Sequence, residues 1–147
     1  MPDLRIEREF ATTPERLYRA VTLQAEVLEW WGHDGMTLPD CALDFSRTGP
    51  WHCVMIAADG TRFKMSGQVT HVREGHSVGF TWGWHDDEDR RGAETHVTFS
   101  ITPSETGARL TIDHRDFPDA ALAERHQGGW LHGPVPRLER YIASQTQ

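Results

Sequence analysis

The last third of the chain contains one long amphipathic segment, residues 119–142. Leu122, His126 and Trp130 recur at every fourth position, so a helix would place them on one face. The apolar residues that continue this stripe are Val135, Leu138, Tyr141 and Ile142. A helix with one apolar face needs a second layer of structure to bury that face. We therefore expect this segment to close over a sheet and to leave a pocket between the two layers.

Alternating apolar residues upstream predict that second layer. Leu4–Phe10 alternates as a strand, and Thr13 and Pro14 then provide the cap and first residue of a helix. A second short helix is expected at residues 24–31, ended by Gly32. Further strands are expected at residues 38–45 (a weak one), 51–57, 63–72, 78–84, 95–101 and 110–114. The predicted fold class is α+β, with an antiparallel sheet of about six strands, two short helices after the first strand and a long C-terminal helix.

Length and charge limit the class of protein. The 147 residues suit a single domain, residues 1–147, and 37% hydrophobic with 25% charged residues predicts a folded chain. A net charge of −7 without a basic stripe argues against nucleic acid and anionic membranes as partners. No apolar run reaches the length of a membrane span, and the N-terminus lacks the apolar stretch of a signal peptide. We therefore expect a cytoplasmic protein.

Cysteine and histidine usage gives no sign of a metal or a cofactor. Cys41 and Cys53 are too few and too isolated to suggest a disulfide framework, so reduced thiols are expected. The nine histidines contain no pair or cluster with zinc-like spacing. The acidic run at residues 86–89 lacks the spacing of a calcium loop, and no glycine-rich phosphate loop follows a strand. The predicted site therefore needs neither a metal nor a cofactor.

An ordered set of motifs resembles a known family. They are REFATTPERLYRAVT, EWWG, GPW with Met55 four residues after the tryptophan, FTWGW, ETHVTF, ARLTIDHRDF and HQGGW. They resemble the homologues of the activator of the heat-shock-protein-ninety ATPase, which belong to the START/Bet-v-like (SRPBCC) superfamily of helix-grip folds. The resemblance extends over residues 6–142. It implies a curved antiparallel sheet wrapped around a long C-terminal helix, with an internal cavity between them.

Some positions depart from the family pattern. Pro50 replaces a second glycine before the strand tryptophan, and His33 replaces a proline after the WWG segment. Pro134 and Pro136 interrupt the last helix, where the family does not usually have proline. Pro134 would clash with the carbonyl group of Trp130 in a straight helix, so we expect a kink or a restart there.

Inward-facing side chains on these elements form the predicted ligand site. They are mostly aromatic, with sulfur and imidazole groups among them, as ligand pockets often are. The expected lining residues are Trp31, Trp51, Met55, Met65, Phe80, Trp82, Phe99, His114, Phe117, His126 and Trp130. Each of these side chains can equally be a core residue that fills space.

His114 and His126 are the candidate polar pair of this site. If they converge, one could act as a general base, because imidazole titrates near neutral pH. The alternative, which we favour, is a structural histidine that hydrogen-bonds a neighbour and anchors the helix to the sheet. For a catalytic His126, alanine substitution should abolish turnover with little change in melting temperature; a large loss of stability indicates the structural role.

The predicted function is binding of a small hydrophobic or amphipathic ligand in the internal cavity. One alternative is an enzyme of the cyclase or hydratase type that uses the same cavity for acid–base chemistry. The other alternative follows from the resemblance: an interaction module that stimulates a chaperone ATPase, with a chaperone or a second copy of the chain as partner and a role in the stress response. That module needs an exposed surface, for which Trp30 and Trp31 are the candidates.

Overall fold

The structure is a computed structural model that describes residues 3–145. Within this range the chain forms seven strands and four helices. In chain order they are β1 (Leu4–Phe10), α1 (Pro14–Thr22), α2 (Gln24–Trp30), β2 (Thr37–Ala42), β3 (Gly49–Ile56), β4 (Arg62–Arg73), β5 (Ser77–Trp84), β6 (Thr95–Ser104), β7 (Gly107–Arg115), α3 (Ala120–His132) and α4 (Pro134–Gln145). The predicted α+β class and helix-grip order are confirmed.

All seven strands form one antiparallel sheet in the order β1-β7-β6-β5-β4-β3-β2. The sheet has one strand more than the predicted six, because the weak pattern after α2 forms a full edge strand, β2. The pairing of β4 with β5 shifts register between Val69 and His71, as a β-bulge produces. The sheet therefore presents a continuous inner face to the helices.

The two short helices begin and end at recognisable signals. The Thr13 side chain accepts a hydrogen bond from the Arg16 N–H, and Pro14 is the first residue of α1. α2 ends at Trp30, one residue earlier than predicted, and Trp31 is already extended, with ψ at 139°. Gly32 then turns the chain with φ +88°, a conformation that glycine adopts without strain. This turn brings Trp31 under the C-terminal helices.

The predicted long C-terminal helix is divided into α3 and α4. Asp119 caps α3 by accepting a hydrogen bond from the Leu122 N–H. The helix stops at Gly133, where φ is −124° and ψ is −95°, and Pro134 starts α4. The predicted restart at Pro134 is therefore confirmed. α3 carries one wall of the site described below, while α4 packs against α2.

Arg137 fastens α4 to the end of α2. Its guanidinium group donates to the backbone carbonyl groups of Trp30 and Glu29, at 3.3 and 3.2 Å, and to the Asp34 carboxylate at 2.8 Å. Arg140 donates to the same carboxylate at 2.7 Å. These bonds fix the position of the turn that carries Trp31.

Cys41 and Cys53 are joined by a disulfide. The two residues lie directly opposite each other on β2 and β3, with Cα atoms 4.1 Å apart. The prediction of two reduced thiols was wrong. Their separation of 12 residues contains no information about register, and only the pairing of the two strands makes them cross-strand neighbours.

A tryptophan bridges two strand pairs at the middle of the sheet. Trp51 on β3 lies opposite Gly67 on β4, and its indole N–H donates to the backbone carbonyl group of Thr81 on β5 at 2.9 Å. The Thr81 hydroxyl group accepts from the Gln68 N–H, also at 2.9 Å. Side chains therefore supply the hydrogen bonds at this point of the β4–β5 pair.

Candidate functional site

A cavity of about 530 Å³ lies between α3 and the inner face of the sheet. This volume is within the range of about 300–1,000 Å³ that is common for small-molecule sites. Its lining residues are Trp31, Gly32, His33, Met55, Phe63, Trp82, Trp84, Ala93, Leu122, Arg125, His126, Gly129, Trp130 and Pro134. The space lies beneath the first half of the C-terminal segment.

Tryptophan rings form most of the wall. Trp31 stacks on Trp82 with ring centroids 5.4 Å apart, and Trp130 meets both rings edge-on, at 6.1 and 5.8 Å. Trp84 continues the row along β5, 5.6 Å from Trp82. Such offset and edge-to-face contacts hold aromatic rings in fixed orientations. The cavity therefore has rigid, flat, apolar surfaces.

The predicted lining residues fall into two groups. Five of them line the cavity: Trp31, Met55, Trp82, His126 and Trp130. The other six are in the core outside the cavity lining, each at most 1% exposed: Trp51, Met65, Phe80, Phe99, His114 and Phe117. Alternation along a strand gives the inner face but not the depth at which a side chain lies, so these core residues were indistinguishable from lining residues.

The sequence contained signals for several lining residues that the prediction missed. Arg125 and Gly129 lie three and seven positions after Leu122, so they share its helix face. Phe63 and Trp84 are each two positions from an inward-facing residue of the same strand, Met65 on β4 and Trp82 on β5, so alternation places them on the inner face. His33 and Ala93 lie outside the helices and strands, and no periodic pattern marks them.

His114 anchors the floor beneath the cavity. Trp130 Nε1–H donates to His114 Nδ1 at 3.2 Å, which leaves the ring proton on Nε2. His114 Nε2–H then donates to the Thr95 hydroxyl group at 2.8 Å, and that hydroxyl donates to the Trp82 carbonyl group. Burial lowers the pKa of His114 to about 2. This neutral ring therefore connects α3 to β6 and β7.

His126 lies between His114 and the cavity. The centroids of the two imidazole rings are 4.6 Å apart, so the predicted pair converges. Trp84 Nε1–H donates to His126 Nε2 at 2.9 Å, and the neutral ring therefore carries its proton on Nδ1. Burial and, to a smaller extent, the positive charge of Arg125 together lower the pKa of His126 to about 4. At neutral pH His126 is an uncharged hydrogen-bond donor.

Comparison with known proteins identifies the family. A family model described as "Activator of Hsp90 ATPase homolog 1-like protein" matches residues 11–141. The chain belongs to this family. No curated protein matches the chain.

Several solved structures are similar to this chain over almost its whole length. An AHSA1 protein from Silicibacter pomeroyi is 50% identical, with a TM-score of 0.94 over 98% of this chain and 99% of that one. A protein from Rhodobacter sphaeroides is 25% identical, with a TM-score of 0.80 over 97% and 92% of the two chains. A protein from Chromobacterium violaceum is 22% identical and shares the fold, with a TM-score of 0.82 over 97% and 98%.

A second cluster of polar side chains lies on the outer face of the sheet. Ser66 Oγ is 2.7 Å from His85 Nε2, and His85 Nδ1 is 2.9 Å from the Asp89 carboxylate. Lys64 donates to the same carboxylate at 2.9 Å. None of these side chains lines the cavity. We assign the cluster a structural role, because it fastens the loop between β5 and β6 onto β4.

Within residues 3–145, no group of three His, Cys, Asp or Glu side chains is placed to hold a metal ion. In the same part of the chain, no helix has the length and hydropathy needed to cross a membrane.

Because His114 and His126 are buried, we expect the stability of the protein to decrease in acid. Their folded-state pKa values, about 2 and about 4, are below the value of about 6.5 in an unfolded chain. As the pH falls below about 6.5, the unfolded chain binds protons that the folded chain does not, so stability is lost. We expect the free energy of unfolding to fall by about 2 kcal/mol between about pH 7 and about pH 5.5.

Urea unfolding at several pH values measures this dependence. His126→Gln removes one titrating group but keeps an acceptor for Trp84 Nε1–H, so it should remove about half of the slope. A wild-type stability that stays constant over this pH range would contradict the assignment of both rings as neutral.

Proposed function

We propose that the protein binds a small hydrophobic or amphipathic molecule in the cavity between α3 and the sheet. The observation that carries this proposal is the space of about 530 Å³ walled by four tryptophans, Trp31, Trp82, Trp84 and Trp130. Apolar area buried at about 25 cal/mol per Å² would contribute several kcal/mol before ordering costs. Membership of a family whose superfamily commonly binds hydrophobic ligands supports the same function.

Two adjacent glycines on α3 provide a matched test. Gly129 lines the cavity, and a Cβ atom added there meets no atom within 4 Å. Gly128 does not line the cavity, and a Cβ atom there meets a single side-chain atom, of His132, at 4.0 Å. Leucine at either position gains the same helix propensity. Gly129→Leu should therefore fill the cavity, while Gly128→Leu should leave it open.

Fluorescence of the apolar probe N-phenyl-1-naphthylamine measures the difference. We expect the wild type and Gly128→Leu to bind the probe, and Gly129→Leu to bind it at least about tenfold more weakly, with unchanged or raised melting temperature. A wild type that does not bind, or a Gly129→Leu variant that binds like wild type, would overturn the proposal. Native mass spectrometry of protein purified without added ligand can then identify a retained molecule by its mass.

The acid–base alternative has less support. It depends on His126, because His114 does not line the cavity. A pKa of about 4 makes His126 a weak base at neutral pH, and its Nε2 already accepts from Trp84. The structural role of the pair therefore fits the geometry better.

The interaction-module alternative needs Trp30 and Trp31 to be exposed, and the structure buries both. Trp30 and Trp31 are each 2% exposed, and Trp30 Nε1–H donates to the Ala20 carbonyl group at 2.8 Å. Across residues 3–145, Leu23 is the one large hydrophobic residue that is well exposed. The Trp30–Trp31 pair therefore offers no exposed surface to a chaperone or to a second copy.

A further inference from the structure

We propose that the natural ligand is an amphipathic anion. It has a flat, apolar body and, at one end, an anionic oxygen group that Arg125 binds at the rim of the cavity. This inference rests on the proposed ligand-binding function and adds the chemical class of the ligand. It follows from the charge and the hydrogen-bonding groups of the lining.

Arg125 is the charged side chain of the lining. The lining contains no Asp or Glu, and burial lowers the pKa of both His33 and His126, which keeps these rings uncharged at neutral pH. Within the described part of the chain, Arg125 makes no ion pair and donates no side-chain hydrogen bond; Arg137, by contrast, has three acceptors. The cavity therefore offers a positive charge without a protein counter-ion.

Most of the lining polar groups that have no partner within residues 3–145 are donors, and the neutral His33 ring adds one acceptor nitrogen. Trp82 Nε1–H has no hydrogen-bond partner within residues 3–145, but the nitrogen is fully buried behind the lining and is not open to a ligand. Trp31 Nε1–H has no acceptor in the same range, and His126 carries its proton on the unbonded Nδ1. A ligand that supplies acceptors to Trp31 Nε1–H and His126 Nδ1–H would pair donors that the protein leaves without a partner.

His126 connects these donors to the cation. It follows Arg125 directly in α3, and the positive charge of Arg125 lowers its pKa. Its ring is 5.5 Å from the ring of Trp82. An oxyanion at the rim can therefore meet the guanidinium group while further acceptors of the ligand face the indole and imidazole N–H groups. A cationic ligand would meet Arg125 with no carboxylate nearby, and a ligand rich in donors would leave the N–H groups unpaired.

Two fluorescent probes with one skeleton test this class. N-phenyl-1-naphthylamine is neutral, and 8-anilinonaphthalene-1-sulfonate is the same molecule with an anionic sulfonate group. We expect the wild type to bind the sulfonate more tightly than the neutral probe. Arg125→Gln should weaken binding of the sulfonate about tenfold and change binding of the neutral probe by less than about twofold.

Arg19→Gln is the matched control. Arg19 is likewise exposed and helical, on α1, and it does not line the cavity. This variant should bind both probes like the wild type. Equal binding of the two probes by the wild type, or an Arg125→Gln variant with unchanged sulfonate affinity, would overturn the inference and leave the proposed function standing. If the wild type binds neither probe, the proposed function fails as well.

Discussion

Replacing Gly67 with alanine should lower the free energy of unfolding by about 4 kcal/mol. An added Cβ atom would overlap the backbone carbonyl group of Thr81 and come within 2.7 Å of Trp51 Nε1. These two groups form the hydrogen bond that joins β3 to β5 across β4. The methyl group can be accommodated only if the strands separate or Trp51 moves, and either change breaks that buried bond.

Gly79→Ala is the control for this experiment. Gly79 lies on β5, and an added Cβ atom there would make ordinary contacts of 3.6 Å or more, with His71, Val97 and Thr98. We expect a change of less than about 1 kcal/mol. Urea unfolding followed by tryptophan fluorescence compares the two variants. If Gly67→Ala were no less stable than Gly79→Ala, the close approach of Trp51 to the backbone would not contribute to the fold.

Replacing His114 with alanine should also cost about 4 kcal/mol. The imidazole ring is fully buried, and both nitrogens are bonded, to Trp130 Nε1–H and to the Thr95 hydroxyl group. Removing the ring leaves the indole N–H without an acceptor and opens a void beside Phe117, whose ring centroid is 4.4 Å away. Thermal and urea unfolding measure the loss.

His96→Ala tests whether the loss comes from burial. His96 also lies on a central strand, but its side chain is 38% exposed, and it pairs with the Asp116 carboxylate at 2.7 Å. Exposed pairs of this kind contribute little, so less than about 1 kcal/mol should be lost. Similar losses for both variants would mean that the network beneath the cavity does not stabilise the fold more than a surface pair does.

The fold was predictable from the sequence because its signals are periodic. Alternation gave the strands, the Thr13–Pro14 pair gave the start of α1, and Pro134 gave the restart of the last helix. β2 was the weakest of the predicted strands, and in the structure it contains Pro39 and a register shift between Thr37 and Asp40. Such interruptions are tolerated at a sheet edge, which the sequence alone does not identify.

The site was only partly predictable, because depth is a property of the packed structure. Trp51 and Trp82 both face inward on central strands, yet Trp82 borders the cavity and Trp51 does not. The convergence of His114 and His126 was a conditional expectation that depended on where α3 crosses the sheet. Cys41 and Cys53 were wrongly predicted to be reduced for the same reason. The connection between β2 and β3, and not spacing along the chain, sets the register that places them opposite each other.

The position of the disulfide has a consequence for self-association. A strand at a sheet edge exposes a row of free N–H and C=O groups that can template pairing with another polypeptide. β2 occupies one edge, and Pro39 and its irregular register make it a poor template. β3 behind it is regular, and the Cys41–Cys53 bond keeps it covered. That bond tethers β2 beside β3 at this position, so reduction should make it easier for β3 to pair with another polypeptide.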